Sequence, residues 1–154
     1  MAIDQTTVAE LFEYKDGALY RKKNGQKAGT RHHTGYTQLH VKGSLFNAHR
    51  IIFLLHHGWL PDVIDHIDGN RANDSIENLR AATYQQNLYN MRLKLNNTSG
   101  VKGVVWEKQR KKWRVQMSIY GKNTNLGRFN DLELAELVAM EARDKYHGAF
   151  AKHF

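Results

Sequence analysis

The stretch VIDHIDGNRANDSIENLR, Val63 to Arg80, sets a carboxylate beside an imidazole, Asp65 next to His66, directly after an apolar Val-Ile pair. Asparagines then crowd the turn that follows, at Asn70, Asn73 and Asn78. An imidazole titrates near neutral pH, so His66 can take a proton from water. Carboxylate and carboxamide oxygens such as those of Asp65 and Asn87 are hard ligands, better suited to Mg²⁺ or Mn²⁺ than to zinc. Those groups together fit hydrolysis of a phosphodiester. That reaction needs a nucleophilic water, a cation on the non-bridging oxygens and help for the departing oxygen. Simpler roles compete: an Asp-His neighbour pair often makes only a structural hydrogen bond, and Asn-rich loops often cap their own backbone. A calcium loop fails on register, since with Gly69 sixth the first and twelfth ligands would be Ile64 and Ser75.

Composition narrows the partners. The chain has 154 residues, 41% hydrophobic and 25% charged, so it can fold and bury a modest core in one domain or two small ones. With no cysteine, disulfides, thiolate metal sites and thiol nucleophiles are excluded. No apolar run reaches the roughly 20 residues of a membrane span, and the amino terminus lacks a secretory pattern. A cytoplasmic protein is expected. The net charge of +8 is concentrated: residues 92–128 carry ten basic side chains and one acid, whereas residues 49–91 and 129–154 are each acidic by two. Scattered charge usually means a solvated surface. A block this lopsided favours a polyanion, most simply nucleic acid.

The elements that must position these groups can be read from periodicity. The first 48 residues read as short strands and turns, with a hairpin around Lys42-Gly43. Ile51, Ile52, Leu54 and Leu55 have helical spacing in HRIIFLLHHG, and Gly58 stops that helix. VID leads into the Asp-His loop, and LRAAT can be a second short strand. Thr83-Tyr-Gln-Gln86 has the form of a capping box, which places Asn87 in the first turns of a helix. Adjacent strand residues point to opposite faces, so Asp65 and His66 can share a site only if the strand ends or twists there, which Gly69 makes feasible. The polar stretch NNTSG reads as a linker. Beyond it come three strands, the middle one with Trp113, Val115, Met117 and Ile119 on one face and Arg114, Gln116, Ser118 and Tyr120 on the other. A second capping box, Asn130 to Glu133, opens a long helix with an apolar stripe of Leu134, Ala135, Val138, Ala142, Tyr146 and Ala149.

The ordered run Asp65, His66, Asp68, Gly69, Asn70, Asn73, Asn78, Leu79, Arg80 and Asn87 resembles the HNH endonucleases, specifically their phage-type homing branch. The resemblance covers roughly residues 49–92. It implies a ββα-metal domain in which Asp65 and Asn87 hold one Mg²⁺ or Mn²⁺ ion per active site and His66 is the general base. It also implies that Asn78, with Asn73 and Gly69, shapes the loop, and that His49 matches a His-Arg preceding the motif, with a packing or phosphate role. Residues 98–150, through Lys102-Gly-Val104, Trp113, Leu126-Gly127 and Phe129, resemble the plant APETALA2/ethylene-response-factor DNA-binding domain. Here Val105, Trp106 and Asn125 depart from that family's pattern. This second resemblance implies a sheet in the major groove, with Lys102, Arg114 and Gln116 toward base edges and Arg110, Lys111, Lys112 and Lys122 toward phosphates.

The resulting expectation is an α+β chain. Residues 1–92 form an HNH nuclease domain with flanking short strands, 93–99 a linker, and 100–154 a three-stranded antiparallel sheet packed on one helix. It would cut double-stranded DNA without a small-molecule cofactor or a membrane, with a monomer favoured, in a host cell if phage-encoded. Two rivals remain open: a catalytically silent sequence-specific DNA-binding protein, and a basic RNA-binding protein with no metal dependence.

Overall fold

Apolar residues at helical spacing build α2 (Ala48–His57), preceded by α1 (Gln5–Leu11). The α2 helix ends where Gly58 adopts φ 76°, a left-handed turn that glycine takes without penalty, and its N–H bonds Leu54 O at 2.9 Å. Two hairpins pack with it: β1 (Phe12–Lys15) with β2 (Ala18–Arg21), and β4 (Thr37–Val41) with β5 (Ser44–Asn47), the latter extended by β3 (Thr30–Arg31). Their turns are Asp16-Gly17 and Lys42-Gly43, all four residues at positive φ, the backbone twist that matches antiparallel strands. Val8, Phe12, Leu19, Leu39, Val41, Ile51 and Ile52 form the centre of this core. Ile51 is fully buried, so Ile51→Ala should lower unfolding free energy by about 2–5 kcal/mol, read from urea denaturation.

This computed structural model describes residues 3–154. Its chain forms two compact units, the first running to Tyr84 and the second Gln85–Phe154. The fold is mixed α+β, with small antiparallel sheets and four α-helices among the described residues. No helix of the described chain is long and apolar enough to cross a membrane. The first unit closes with β6 (Val63–His66) and β7 (Leu79–Ala82), paired so that Asp65 faces Arg80 and His66 faces Leu79.

In the second unit β8 (Val104–Glu107), β9 (Lys112–Ile119) and β10 (Lys122–Phe129) form one sheet with β9 central. The helix α4 (Leu132–His147) is capped by Asp131, whose carboxylate accepts from Leu134 N at 2.9 Å. Val115 and Met117 are buried on the face that alternation assigned to them. The α4 stripe differs from expectation. Ala135, Ala139 and Arg143, spaced by four, are buried, while Leu134 stays 49% exposed. A helical face closely packed on a sheet favours small alanines, and the larger Leu134 falls outside it.

Two further differences concern the chain between the units' cores. The helix α3 (Tyr84–Tyr89) belongs almost wholly to the second unit, and the division falls ahead of the stretch read as a linker. That stretch is also tied down: Asn97 Nδ2 donates to Val101 O at 3.0 Å, and Ser99 Oγ donates to Val104 O at 2.7 Å. Polarity alone does not separate a free linker from one whose side chains satisfy nearby backbone.

Candidate functional site

The strand β6 ends at His66, and the two residues at its end have different partners. The Asp65 carboxylate is 3% exposed, and its Oδ2 accepts from Arg80 Nε at 2.8 Å and Nη2 at 2.7 Å across the ladder. A buried carboxylate needs a countercharge of this kind. His66, also buried, places Nε2 2.9 Å from Asp74 Oδ1. Since the carboxylate accepts, Nε2 carries a proton.

A third buried polar residue reaches the same place from α2. His49 sets its ring 5.0 Å from that of His66 at 71°, and 5.3 Å from Tyr36. Its Nδ1 is buried and has no hydrogen-bond partner among the described residues. Burial above all, then the nearby His66 and Arg50, push the His49 ring down to about 4 against the opposing pull of Asp74, so it is neutral at pH 7. One ligand atom from each of His49, His66 and Asp74 lies within 4.8 Å of the others. Neutral imidazoles with a carboxylate are a donor set that a divalent cation accepts. Asp74 has no assigned role in the sequence reading, because one acid in an Asn-rich loop looks like turn chemistry. Only the fold shows that it is buried against the histidine.

The crowding of asparagines has a physical explanation. Asp68 N donates to Asn78 Oδ1 at 3.0 Å, and Asn78 Nδ2 donates to Asp68 Oδ1 at 3.0 Å and to Asn73 O at 2.8 Å. Asp68 also accepts from Asn70 N at 2.7 Å and Asn73 Nδ2 at 2.8 Å. Burial pushes its carboxyl up, but the bonds from Asn73, Asn70 and Asn78 together hold it below the usual range. Gly69, at φ 70°, turns the chain and donates its N–H to His66 O at 2.8 Å. The loop is therefore fastened on both sides of His66 and Asp74. Asn78→Ala deletes three of these bonds and should cost about 1–3 kcal/mol. Cleavage should fall along with thermal stability, measured on the same preparation.

Asn87 lies on α3, half-buried, in the second unit. The basic residues of that unit divide by surroundings. Lys102 Nζ donates to Tyr89 O at 2.8 Å and to Met91 O. Burial, with Arg143 and Lys152 nearby, brings it down to about 8. Arg114 is half-buried, and its Nε lacks a hydrogen-bond partner among the described residues. Gln116 lines a groove of about 520 Å³ with Arg92, Lys94, Lys102 and Asn123. Arg110 sits 3.3 Å from Glu107, which also accepts from Arg128 at 2.8 Å. Lys111, at the tip of the β8–β9 turn, and Lys122 are exposed, and Lys112 is half-buried.

Comparison with known proteins agrees with the Asp-His loop. Residues 46–89 match the family described as HNH endonuclease. Protein 3.8 of Escherichia phage T7 is 44% identical over 91 residues, spanning 58% of this chain and 73% of that protein. Among solved structures, one of DNA binding and cleavage by the HNH homing endonuclease I-HmuI is 28% identical, with a TM-score of 0.44 over 51% of this chain. The match spans only 50% of that structure's chain. The segment that holds Asp65, His66, Asp74 and the asparagine clamp is thus the segment the family is defined on, and this chain belongs to the HNH endonuclease family through a domain at residues 46–89.

Proposed function

We propose that this chain is a phage-type DNA endonuclease that hydrolyses phosphodiesters with His66 as general base. The observation that carries the reading is the buried His66–Asp74 pair, 2.9 Å apart, inside the matched domain. Asp74 fixes the ring that takes the water proton and stabilises the imidazolium that results. Water oxygen bonds to phosphorus, the bond from phosphorus to the 3′ oxygen breaks, and the products are a 5′ phosphate and a 3′ hydroxyl. Asp65 is the carboxylate that would hold a divalent cation, and the assignment of Asn87 as second oxygen donor rests on the sequence motif. When bound, Mg²⁺ or Mn²⁺ supplies positive charge at the phosphate and at the leaving oxygen. Within the second unit, Arg114 and Gln116 are the candidates for base edges, and Arg110, Lys111, Lys112 and Lys122 for phosphates; a three-stranded sheet on one helix supports its APETALA2-like reading. Lys102, tied to two carbonyls, is the weakest of the proposed base contacts.

A second reading is favoured by the unpartnered Nδ1 of His49: the cation sits on His49, His66 and Asp74, and His66 is then a ligand rather than the base. Supercoiled plasmid tests the nuclease reading that both share. Incubation with Mg²⁺ or Mn²⁺ should give relaxed circles for nicking or linear DNA for double-strand cleavage, and EDTA should stop either. Plasmid left intact with both metals would refute it.

A further inference from the structure

The second unit holds a partly open cavity of about 200 Å³ bordered by α3, β9 and α4. Gln85, Leu88 and Tyr89 line one side, Gln116 and Met117 another, and Arg143 and His147 a third. Five buried side-chain nitrogens lack hydrogen-bond partners among the described residues, and three of them belong to this lining: Gln85 Nε2, Arg143 Nη2 and His147 Nδ1. Buried polar atoms are almost always paired, so three orphans around one cavity point to a missing polar occupant.

Arg143 decides what kind. It is only 2% exposed, yet among the described residues no carboxylate forms an ion pair with it. Its other nitrogens are committed, Nη1 to Lys102 O and Nε to His153 Nδ1 at 3.2 Å. Asp144 accepts from the far side of that His153 ring at 3.1 Å, and Asp144 and Glu136 act on the guanidinium by charge without pairing with it. Lys102 adds a second cation to the lining, and no acid borders the cavity. A buried guanidinium without an anion is costly, and the apolar walls strengthen any charge placed opposite it. Gly103 also lines the cavity, at φ 80°, where a side chain would meet Gln116 O at 2.8 Å.

We infer that this cavity is a binding site for a phosphate-class oxyanion, with Arg143 as its charge partner and Gln85 as a second donor. A guanidinium N–H and an amide N–H both donate, as phosphate oxygens require. His147 Nε2 donates to Ser118 O at 2.9 Å, so the neutral ring turns an acceptor, Nδ1, toward the occupant. That acceptor suits the P–OH of inorganic phosphate or a terminal monoester, and it also accepts from a bridging water when the ligand is an internal diester. The inference stands apart from the nuclease reading: Gln85, Leu88 and Tyr89 fall within the matched residues 46–89, but none of the residues proposed for the cleavage chemistry lines the cavity.

The full chain is titrated with sodium phosphate against sodium chloride at equal ionic strength, by calorimetry and by thermal melting. Saturable binding of one phosphate per chain is expected. Gln85→Leu, which leaves the charge unchanged, should weaken it about fivefold, and Arg143→Met about tenfold or more. Lys23→Ala, a charge change on the exposed surface of the first unit, should leave it unaltered. If Arg143→Met does not fold, Gln85→Leu decides. A short labelled duplex added to the phosphate-saturated protein separates the sources. Mutual exclusion assigns the site to nucleic-acid phosphate, and simultaneous binding assigns it to the free anion. No saturable phosphate binding beyond chloride, or binding that Gln85→Leu leaves intact, overturns the inference.

Discussion

Replacing His66 with glutamine should slow single-turnover cleavage by about 10²- to 10⁴-fold, the range typical of a lost general base. Duplex affinity should stay near that of the parent, because the basic side chains of residues 92–128 are untouched. Glutamine is chosen over alanine for a physical reason. Alanine would leave the Asp74 carboxylate, 4% exposed, without its partner, and lost stability would then mix with lost chemistry. Glutamine can still donate an amide N–H toward Asp74, yet it cannot take a proton from water. His66→Gln that cuts as fast as the parent would remove His66 from the chemistry. Asp74→Asn complements it: the amide oxygen can still accept from Nε2, but the imidazolium loses its countercharge, so cleavage should fall while folding persists.

The second large effect concerns Asp65. Asp65→Ala breaks a buried ion pair, and the loss of such pairs costs about 3–5 kcal/mol. Arg80 is 19% exposed, which places the expected loss toward the lower end of that range. The double substitution Asp65→Leu with Arg80→Met replaces the pair by apolar groups and should return most of that stability. Cleavage separates the two roles of the residue. If Asp65 also carries the cation, the double variant melts close to the parent and does not cut. If the carboxylate serves only Arg80, the double variant regains activity with stability. The readouts are urea denaturation and plasmid cleavage on the same preparations.

Periodicity and turn chemistry made much of the fold legible. Ile51, Ile52 and Leu54 announced α2 and Gly58 its end; Lys42-Gly43 marked a hairpin; the alternation in β9 is present as expected, and α4 starts one residue later than its capping box, with Asp131 rather than Asn130 as the N-cap. The α1 helix was not legible. It spans seven residues with Val8 as its single buried side chain, too few for a 3.6-residue period, and its only local signal is Asp4 accepting from Thr7 N at 2.7 Å. The burial of Arg143 was not legible either. A charged residue one turn beyond Ala139 reads as the solvated side of a helix, whereas in the fold it is buried.

The site divides along the same line. The order of Asp65, His66, the asparagines and Asn87 could be read because the motif is local and continuous. The pairing of His66 with Asp74, the arrival of His49 from α2 and the bond from Asp65 to Arg80 could not. Each joins residues through strand register or helix packing, and sequence spacing alone does not determine either. The local loop bonds around Asp68 explain why a turn of this length uses so many amides: each satisfies a backbone or carboxylate group that the turn leaves over.

Crystals grown with Mn²⁺ and measured at the manganese absorption edge locate the cation directly. A peak bonded to the carboxylate of Asp65, with the His66 ring next to it but not ligated, is the expected result for a nuclease whose histidine moves the proton. A peak held by His49, His66 and Asp74 would contradict it, because a histidine bound to metal cannot also be the base.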